Sequence, residues 1–258
     1  MTTPEPTPPD HNAAAFAPEV DDVFARIATR YDTLCDIFSL YLHRRWKARM
    51  AAHIAAAPGT TVLDVASGTG DIPLRVLRRW RQRQGGTQPT TPVTIIVSDL
   101  SNAMLAMARQ KIGASTDGAR AIVDYRLLNA YDLAGIADNS VDVYSISFGM
   151  KIMDRDRVMR EALRVLKPGG RFFCLEASHI QWGAVHRAYL RYMQWCLPLI
   201  AKLQGNSDTS TYRYFLKGIE DFPDQAGFAR EIESMGFGPA TFENLSLGVV
   251  ALHTARKP

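Results

Sequence analysis

Cysteine is scarce in this sequence, and long charge-free runs are missing. The three cysteines, Cys35, Cys174 and Cys196, lie far apart and form no Cys-x-x-Cys pair, a usage typical of buried thiols in a reducing compartment. No window of about 20 residues is free of charge, so a membrane-spanning helix is not expected. The first residues have neither the basic start nor the apolar run of a signal peptide. These absences together predict a cytoplasmic protein.

A strong excess of charge and a metal-ligand pattern are also absent. The formal net charge of +4 over 258 residues allows a slightly basic face but gives no reason to expect nucleic acid as a partner. The six histidines form no ligand pair of recognisable spacing, so no metal is predicted. Hydrophobic residues make up 47% of the chain, enough for a sizeable core in one large α/β domain or two small ones.

The most informative stretch of the sequence is a glycine-containing turn between a predicted strand and a predicted helix. The β-branched and aliphatic run 61–65 predicts a buried strand. Ser67-Gly68-Thr69-Gly70 follows, where the glycines let the backbone turn tightly and approach a ligand, and an apolar helical face begins after Asp71. The dinucleotide fingerprint needs a third glycine where Pro73 stands, and the Gly-Lys-Ser/Thr of a P-loop is absent. A ligand site and a plain strand–turn–helix unit both stay open from this stretch alone.

Strand and helix patterns alternate along the chain. The polar loop at 84–92 and the stop signal Lys167-Pro-Gly-Gly170 separate clear elements. This order predicts an α/β fold with a mostly parallel sheet flanked by helices, closed by a C-terminal antiparallel hairpin. The predicted strands are 61–65, 93–97, 121–128, 141–147, 172–177, 240–244 and 249–254. The predicted helices include 71–82, one capped by Ser101 or Asn102, 154–166 and about 224–235.

The ends of the predicted parallel strands carry small and polar residues. In an open α/β sheet these ends share one edge, and ligands bind there. Asp99 follows the second strand at a greater distance from Gly70 than usual for a ribose-binding acid, and the insertion at 84–92 accounts for the excess. The residues expected along this edge are Gly68, Asp99, Asn129, Ser147 and Ser178.

The flanking segments predict one domain with added helical parts. Residues 1–17 are rich in Pro, Thr and Ala and predict a disordered tail, followed by a single domain over 18–258. The segment 18–57 has helical periodicity and predicts a helical cap. The segment 182–220 is apolar and aromatic, with a helix interrupted at Pro198. Core packing and a lid over a hydrophobic substrate both stay open for that segment.

Several stretches match the motifs of one family. The glycine turn is shared widely, whereas the N-terminal Tyr-Asp, the Tyr-Arg-Tyr and the closing Gly-Val-Val-Ala-Leu-His are more specific. The matching stretches are Val23-Phe24-x-x-Ile27-Ala28-x-x-Tyr31-Asp32, Leu63-Asp64-x-Ala66-x-Gly68-Thr69-Gly70-Asp71, Ser147-Phe148-Gly149, 164–171, Leu175-Glu176, 210–214, 223–225 and 248–253. From about Val23 to Thr254 the chain resembles the UbiE family, the C-methyltransferases of ubiquinone and menaquinone biosynthesis.

The resemblance implies a Rossmann-like class I fold that binds S-adenosylmethionine (SAM). It implies that Thr69 lies at the glycine-loop contact, Asp99 at the ribose, and Asn129 and Ala130 beside the adenine. Tyr31 matches a tyrosine that closes over the cofactor, where an aromatic face can stabilise a sulfonium cation; an ordinary core aromatic is the alternative for this residue. The implied cofactor-binding residues are Tyr31, Asp64, Ser67, Gly68, Thr69, Gly70, Asp99, Leu100, Asn129, Ala130 and Ser147.

Two departures from the family pattern lie on the substrate side. Lys151-Ile152 stands where the family usually has Arg-Asn, and lysine lacks the planar fork of arginine. Ser178-His179 stands where the family tends to have Ser-Lys, and a histidine there could act as a base. We predict catalytic roles for Lys151 and His179, which would stabilise or create the acceptor anion, and for Tyr31. A hydrogen-bonded surface histidine stays open for His179.

The resemblance predicts methyl transfer to an apolar aromatic small molecule, first of all a quinol ring carbon. A secondary-metabolite acceptor methylated on C, N or O, non-methyl SAM chemistry on the same fold, and a non-catalytic binding module are the alternatives. Nucleic acid is not expected as a substrate, because Asn-Pro-Pro-Tyr and Pro-Cys motifs are absent. Peripheral membrane association and a homodimer are both left open.

Overall fold

The centre of the protein, seen in a computed structural model that describes residues 31–83, 93–114, 121–180, 182–203 and 217–258, is a seven-stranded sheet. Its order is β3-β2-β1-β4-β5-β7-β6; the first five strands are parallel, and β7 runs antiparallel to both β5 and β6. This confirms the predicted fold class with its C-terminal hairpin. The strands are β1 Thr61–Val65, β2 Val93–Asp99, β3 Ala121–Leu127, β4 Val141–Ser147, β5 Leu166–Ala177, β6 Thr241–Leu245 and β7 Val250–Arg256.

Helices cover both faces because successive side chains of each strand point to opposite sides. On β5, Phe172 packs against the cluster formed with α5 and α7, whereas Phe173 packs against the cluster formed with α2, α3 and α4. The helices are α1 Tyr31–Phe38, α2 Leu42–Ala56, α3 Asp71–Arg83, α4 Asn102–Gly113, α5 Arg155–Val165, α6 Gly183–Leu203 and α7 Gln225–Ser234.

The structure departs from the sequence-based expectations in local detail. The helical pattern expected to continue to residue 57 is broken between α1 and α2, because Leu40 and Tyr41 adopt left-handed backbone angles with φ of 48° and 63°. Conversely, α6 continues through Pro198. Ser101 precedes α4 without a side-chain cap; instead its backbone N–H donates to Asp99.

The strict alternation of strand and helix also fails at one place. Residues 128–140 join β3 to β4 without a helix, through turns and an isolated bridge between Asn129 and Asp132. This connection carries the chain back from the sheet edge, so that β4 lies beside β1. The order of the strands therefore reverses between β1 and β4, and open α/β sheets bind ligands in the crevice at such a reversal.

Parts of the predicted domain organisation lie outside the described residues. These are the expected tail 1–17, the beginning of the cap, and 204–216 within the expected lid. The motif 210–214 and most of the motif before Tyr31 fall there too. The division into tail, cap, domain and lid stays a prediction.

Candidate active site

A cleft opens at the carboxyl ends of β1, β2 and β4. It encloses about 710 Å³ of space, part of it open to solvent. Residues that follow β2 and β3 form one side, and residues that follow β4 form the other. The lining residues are Ala66, Gly68, Asp99, Leu100, Ser101, Met104, Leu128, Asn129, Ala130, Tyr131, Ser147, Phe148, Gly149, Ile152 and Met153.

Asp99 ties the glycine turn to the start of α4. Its Oδ2 accepts a hydrogen bond from the Gly68 N–H at 2.8 Å, and its Oδ1 accepts one from the Ser101 N–H at 2.9 Å. Gly68 has φ of 55°, in the left-handed region. Gly70 has φ of 75°, and a Cβ there would lie 2.9 Å from Cδ1 of Ile112. Gly68 therefore lies at the cleft, and Gly70 lets α4 pack closely against the turn.

A buried carboxyl group supports the turn from below. Asp64 is 1% exposed, and its Oδ2 accepts from the Ser67 hydroxyl at 2.7 Å while its Oδ1 accepts from the Ser145 hydroxyl. Burial raises the pKa of Asp64 to about 6, against the opposing effect of these two hydrogen bonds. Asp64 therefore acts on the turn through Ser67 and does not line the cleft.

An ionic network joins the N-terminal helices to the turn. Asp32 of α1 accepts a hydrogen bond from the Thr69 hydroxyl at 2.7 Å, and the Lys111 ammonium donates to both Thr69 and Asp32. Lys47 of α2 donates to Asp71 at 3.1 Å. Burial disfavours the charged form of Asp71, but the positive charges around it, led by Lys47, hold its pKa below the ordinary value. These contacts hold α1 and α2 against the glycine turn.

The residues after β4 form an apolar wall. Phe148 has φ of 59°, and its ring lies 6.4 Å from that of Trp46. Ile152, the last residue of the 3-10 turn Met150–Ile152, and Met153 after it continue the wall. The cleft thus has one side with carboxylate and amide groups and one side that is mostly hydrocarbon.

The donor set suits an organic cofactor better than a metal. Asp99 and Asn129 offer oxygen atoms to hydroxyl or amino groups, and Leu100, Met104 and Leu128 offer apolar contact beside them. Among the residues that the structure describes, no group of three or more His, Cys, Asp or Glu side chains could hold a metal ion. The cleft therefore offers hydrogen-bond acceptors on one side and apolar contacts on the other.

Comparison with known proteins identifies the family. The model of the ubiE/COQ5 methyltransferase family matches residues 12–257. The chain belongs to this family. Ubiquinone/menaquinone biosynthesis C-methyltransferase UbiE of Bartonella henselae is 38% identical over 241 residues, covering 92% of this chain and 88% of the relative. UbiE of Cereibacter sphaeroides is 39% identical over 239 residues, covering 92% of this chain and 90% of the relative.

A solved structure agrees in fold. The SAM-dependent methyltransferase of Thermotoga maritima superposes with a TM-score of 0.60, covering 92% of this chain and 99% of its own at 14% identity. Membership of the ubiE/COQ5 family makes this chain a SAM-dependent methyltransferase, with SAM as its cofactor.

The structure brings together about half of the cofactor residues that the resemblance implied for this ubiE/COQ5 enzyme. Gly68, Asp99, Leu100, Asn129, Ala130 and Ser147 line the cleft. Asp64, Ser67, Thr69 and Gly70 lie in or beneath the turn without lining the cleft. The side chain of Tyr31 lies outside the described residues, although its backbone begins α1. The individual roles of these residues stay predictions.

The two residues predicted to act on the acceptor do not line the cleft. The Lys151 ammonium donates to Glu176 and to the Phe148 carbonyl. His179 follows β5, and its carbonyl accepts a hydrogen bond from the Gln225 amide at 2.7 Å. Catalytic roles for Lys151 and His179 stay predictions.

Sequence reasoning missed several residues of the site. Asp32 and Lys111 reach the glycine turn from helices far apart in the sequence, and only the Tyr-Asp motif pointed toward Asp32. Met104 and Tyr131 line the cleft. The Tyr131 hydroxyl accepts from the Asp154 N–H at 3.0 Å, which ties this side of the cleft to the start of α5.

Proposed function

We propose that this enzyme transfers the methyl group of SAM to a ring carbon of a hydroquinone in ubiquinone or menaquinone biosynthesis. The observation that carries the proposal is the two-sided cleft, with Asp99 and Asn129 on one side and Phe148, Ile152 and Met153 on the other. The names of the relatives at 38–39% identity support the choice of reaction and pathway.

We assign the polar side to the cofactor. Asp99 would accept hydrogen bonds from the ribose hydroxyls, and Asn129 and Ala130 would lie beside the adenine. Gly68 and Ser147 would approach the methionine part, with Leu100 in apolar contact. Asp64, Ser67, Thr69 and Gly70 would shape the turn, and Tyr31 would close over the cofactor.

We assign the apolar side to the acceptor ring. Bound SAM supplies a methyl group on a sulfonium, which a nucleophilic carbon takes by in-line displacement. A hydroquinone that has lost a hydroxyl proton carries negative charge on its ring carbons. The new carbon–carbon bond forms as the carbon–sulfur bond breaks, and the ring carbon then loses its proton to become aromatic again. The part of Phe148, Ile152 and Met153 is to align the ring and exclude water.

Product analysis with the purified enzyme tests this proposal. The enzyme is incubated with SAM labelled on the methyl group and a short-chain 2-prenyl-1,4-naphthoquinone kept reduced by dithionite. We expect a labelled product heavier by one methylene, with the label on a ring carbon, formed in step with S-adenosylhomocysteine. The control omits dithionite, because the oxidised quinone is an electrophile. A labelled methyl ether, or no transfer to either this naphthoquinol or a prenylated benzoquinol, would contradict the proposal.

We further propose that the enzyme meets its lipid-soluble acceptor at a membrane surface. Helix α6 contains no Asp or Glu, and it exposes Val185, Tyr192 and Trp195 with Arg187 and Arg191 beside them. Exposed apolar side chains together with basic residues on one helix favour binding to anionic lipid. None of the described helices is both long and apolar enough to cross a membrane.

Sedimentation with vesicles tests this surface. We expect binding to phosphatidylglycerol-containing vesicles, weaker binding to pure phosphatidylcholine, and a loss in Trp195→Ser. The matched control is Phe242→Ser, which removes an exposed apolar side chain from β6. Equal binding by both variants would contradict the assignment. A homodimer and a cytoplasmic location stay predictions.

A further inference from the structure

We propose that Lys151 is a positioning residue whose ammonium, paired with Glu176, holds Phe148 as the acceptor-side wall of the cleft. The sequence suggested that this lysine would act directly on the acceptor anion. The inference rests on the proposed function only for the identity of the acceptor.

The backbone of Phe148 needs outside support. Its φ of 59° lies in the left-handed region, which is rare and strained for a bulky side chain. Its N–H donates to the Leu175 carbonyl at 2.8 Å, and its own carbonyl accepts from the Lys151 ammonium at 2.6 Å. Strained conformations persist where the surrounding contacts determine them. Lys151 supplies the contact on the carbonyl side.

The ammonium of Lys151 is engaged on the protein. It donates to Oε1 of Glu176 at 2.9 Å and to the Phe148 carbonyl, and it lies 5.5 Å from the centroid of the Phe148 ring. The side chains of Lys151 and Glu176 are 8% and 1% exposed. These two hydrogen bonds use two of the three donors of the ammonium. The positive charge is therefore directed into the protein.

Both carboxylate oxygens of Glu176 accept further hydrogen bonds from the backbone. Its Oε1 also accepts from the Ala177 N–H at 2.7 Å, and its Oε2 accepts from the Lys151 N–H at 3.2 Å. The pair thus links the end of β5 to the 3-10 turn Met150–Ile152, whose last residue lines the cleft. A change at either member shifts the wall.

The Phe148 ring has a second neighbour, the ring of Trp46. The Trp46 ring lies 6.4 Å away, and its Nε1 donates to the Ser246 hydroxyl at 2.9 Å. The Phe148 ring therefore lies near both a cation and an anchored indole. Its position relative to the acceptor depends on Lys151 and on Trp46.

The chain provides a matched pair at the other end of the same two strands. Lys167 donates to Asp142 at 2.8 Å, and Asp142 also accepts from the backbone N–H groups of Thr60 and Thr61. This pair has the same charges and joins β4 to β5, whereas Lys151 and Glu176 join the turn after β4 to β5. It does not line the cleft.

The test compares Lys151→Met and Glu176→Gln with the control Lys167→Met. We expect kcat/KM for the dithionite-reduced naphthoquinol to fall about a hundredfold in both test variants, since a misplacement of ~1 Å can cost that much. The dissociation constant for SAM should stay near that of the wild type. The double variant should be no worse than either single one, because both remove the same interaction. Lys167→Met should lose thermal stability without losing kcat/KM.

Amide hydrogen exchange gives a readout independent of turnover. Exchange over 148–153 should rise in Lys151→Met and Glu176→Gln and stay unchanged there in Lys167→Met. Full activity of Glu176→Gln beside an inactive Lys151→Met with an altered pH profile would overturn the inference, because the ammonium would then act on the acceptor. Equal losses of SAM affinity and kcat/KM would also overturn it. If the wild type does not methylate the quinol, the proposed function fails. The role of Lys151 is tested separately by hydrogen exchange, and unchanged exchange over 148–153 in the two variants would overturn it.

Discussion

The buried carboxyl group beneath the glycine turn makes the stability of the protein depend on pH in a specific way. Asp64 is 1% exposed and accepts hydrogen bonds from Ser67 and Ser145. Burial raises its pKa to about 6 from an ordinary 3.8. The substitution Asp64→Asn would keep the shape of the side chain and make it neutral at every pH.

The sign and size of the effect follow from proton linkage. Between pH 4 and pH 6 the folded protein holds a proton on Asp64 that the unfolded chain has released, so stability is lost as pH rises through this window. The pKa difference corresponds to about 3 kcal/mol of unfolding free energy. We therefore expect the stability of Asp64→Asn relative to the wild type to increase by about 2 kcal/mol between pH 4 and pH 7, because the unfolded carboxyl group is already partly ionised at pH 4.

Urea unfolding of both proteins at several pH values measures this difference. Comparing two variants at each pH cancels the titration of the other groups. Asp142→Asn is the control, because Asp142 has a lowered pKa, with Lys167 and the N–H groups of Thr60 and Thr61 outweighing its desolvation. Its difference from the wild type should change only below about pH 4. A difference for Asp64→Asn that stays constant between pH 4 and pH 7 would refute the reasoning.

Three further predictions concern other parts of the fold. Asp99→Asn should weaken SAM binding about tenfold or more in calorimetry. The amide keeps only one acceptor oxygen and no charge, so the backbone N–H groups of Gly68 and Ser101 and the ribose would compete for a weaker acceptor. Asp124→Asn makes the same charge change on β3 and should bind SAM normally. Asp32→Asn should weaken SAM binding by less, up to about fivefold, since its ion pair is partly exposed, and unchanged affinity would argue against coupling of α1 to the turn. His253 is buried with its pKa lowered to about 4, so the stability of the wild type relative to His253→Gln should fall as pH drops from about 6.5 toward 4. Urea unfolding of both proteins at several pH values measures this difference, and a difference that stays constant over this range would contradict the prediction.

The exposure of individual side chains on α6 could not be predicted from the sequence. The sequence shows that α6 has no acidic residue and several aromatic ones, but Trp195 is 83% exposed whereas Met193, two residues earlier, is buried. Both are apolar residues on the same helix. Only the position of neighbouring elements distinguishes them.

Local chemistry explains what could be predicted. The β-branched run 61–65, the glycines at 68 and 70 and the stop signal at 167–170 act over a few residues, so strand, turn and helix positions followed from propensity and periodicity. The same stretches form the family motifs, and Asp99 was expected at the cleft because it ends a strand. Fold class and cofactor were therefore accessible from the sequence.

Contacts between distant residues were decided only by the tertiary structure. The ammonium of Lys151 could have pointed at the acceptor, but Glu176, 25 residues later, accepts it instead. Asp32 reaches Thr69 across 37 residues, and β7 pairs between β5 and β6 although it is the last strand. Periodicity records which face of an element is apolar, not which element covers it. The sequence thus determined the elements and their order, whereas packing determined which charged groups meet each other and which reach the cleft.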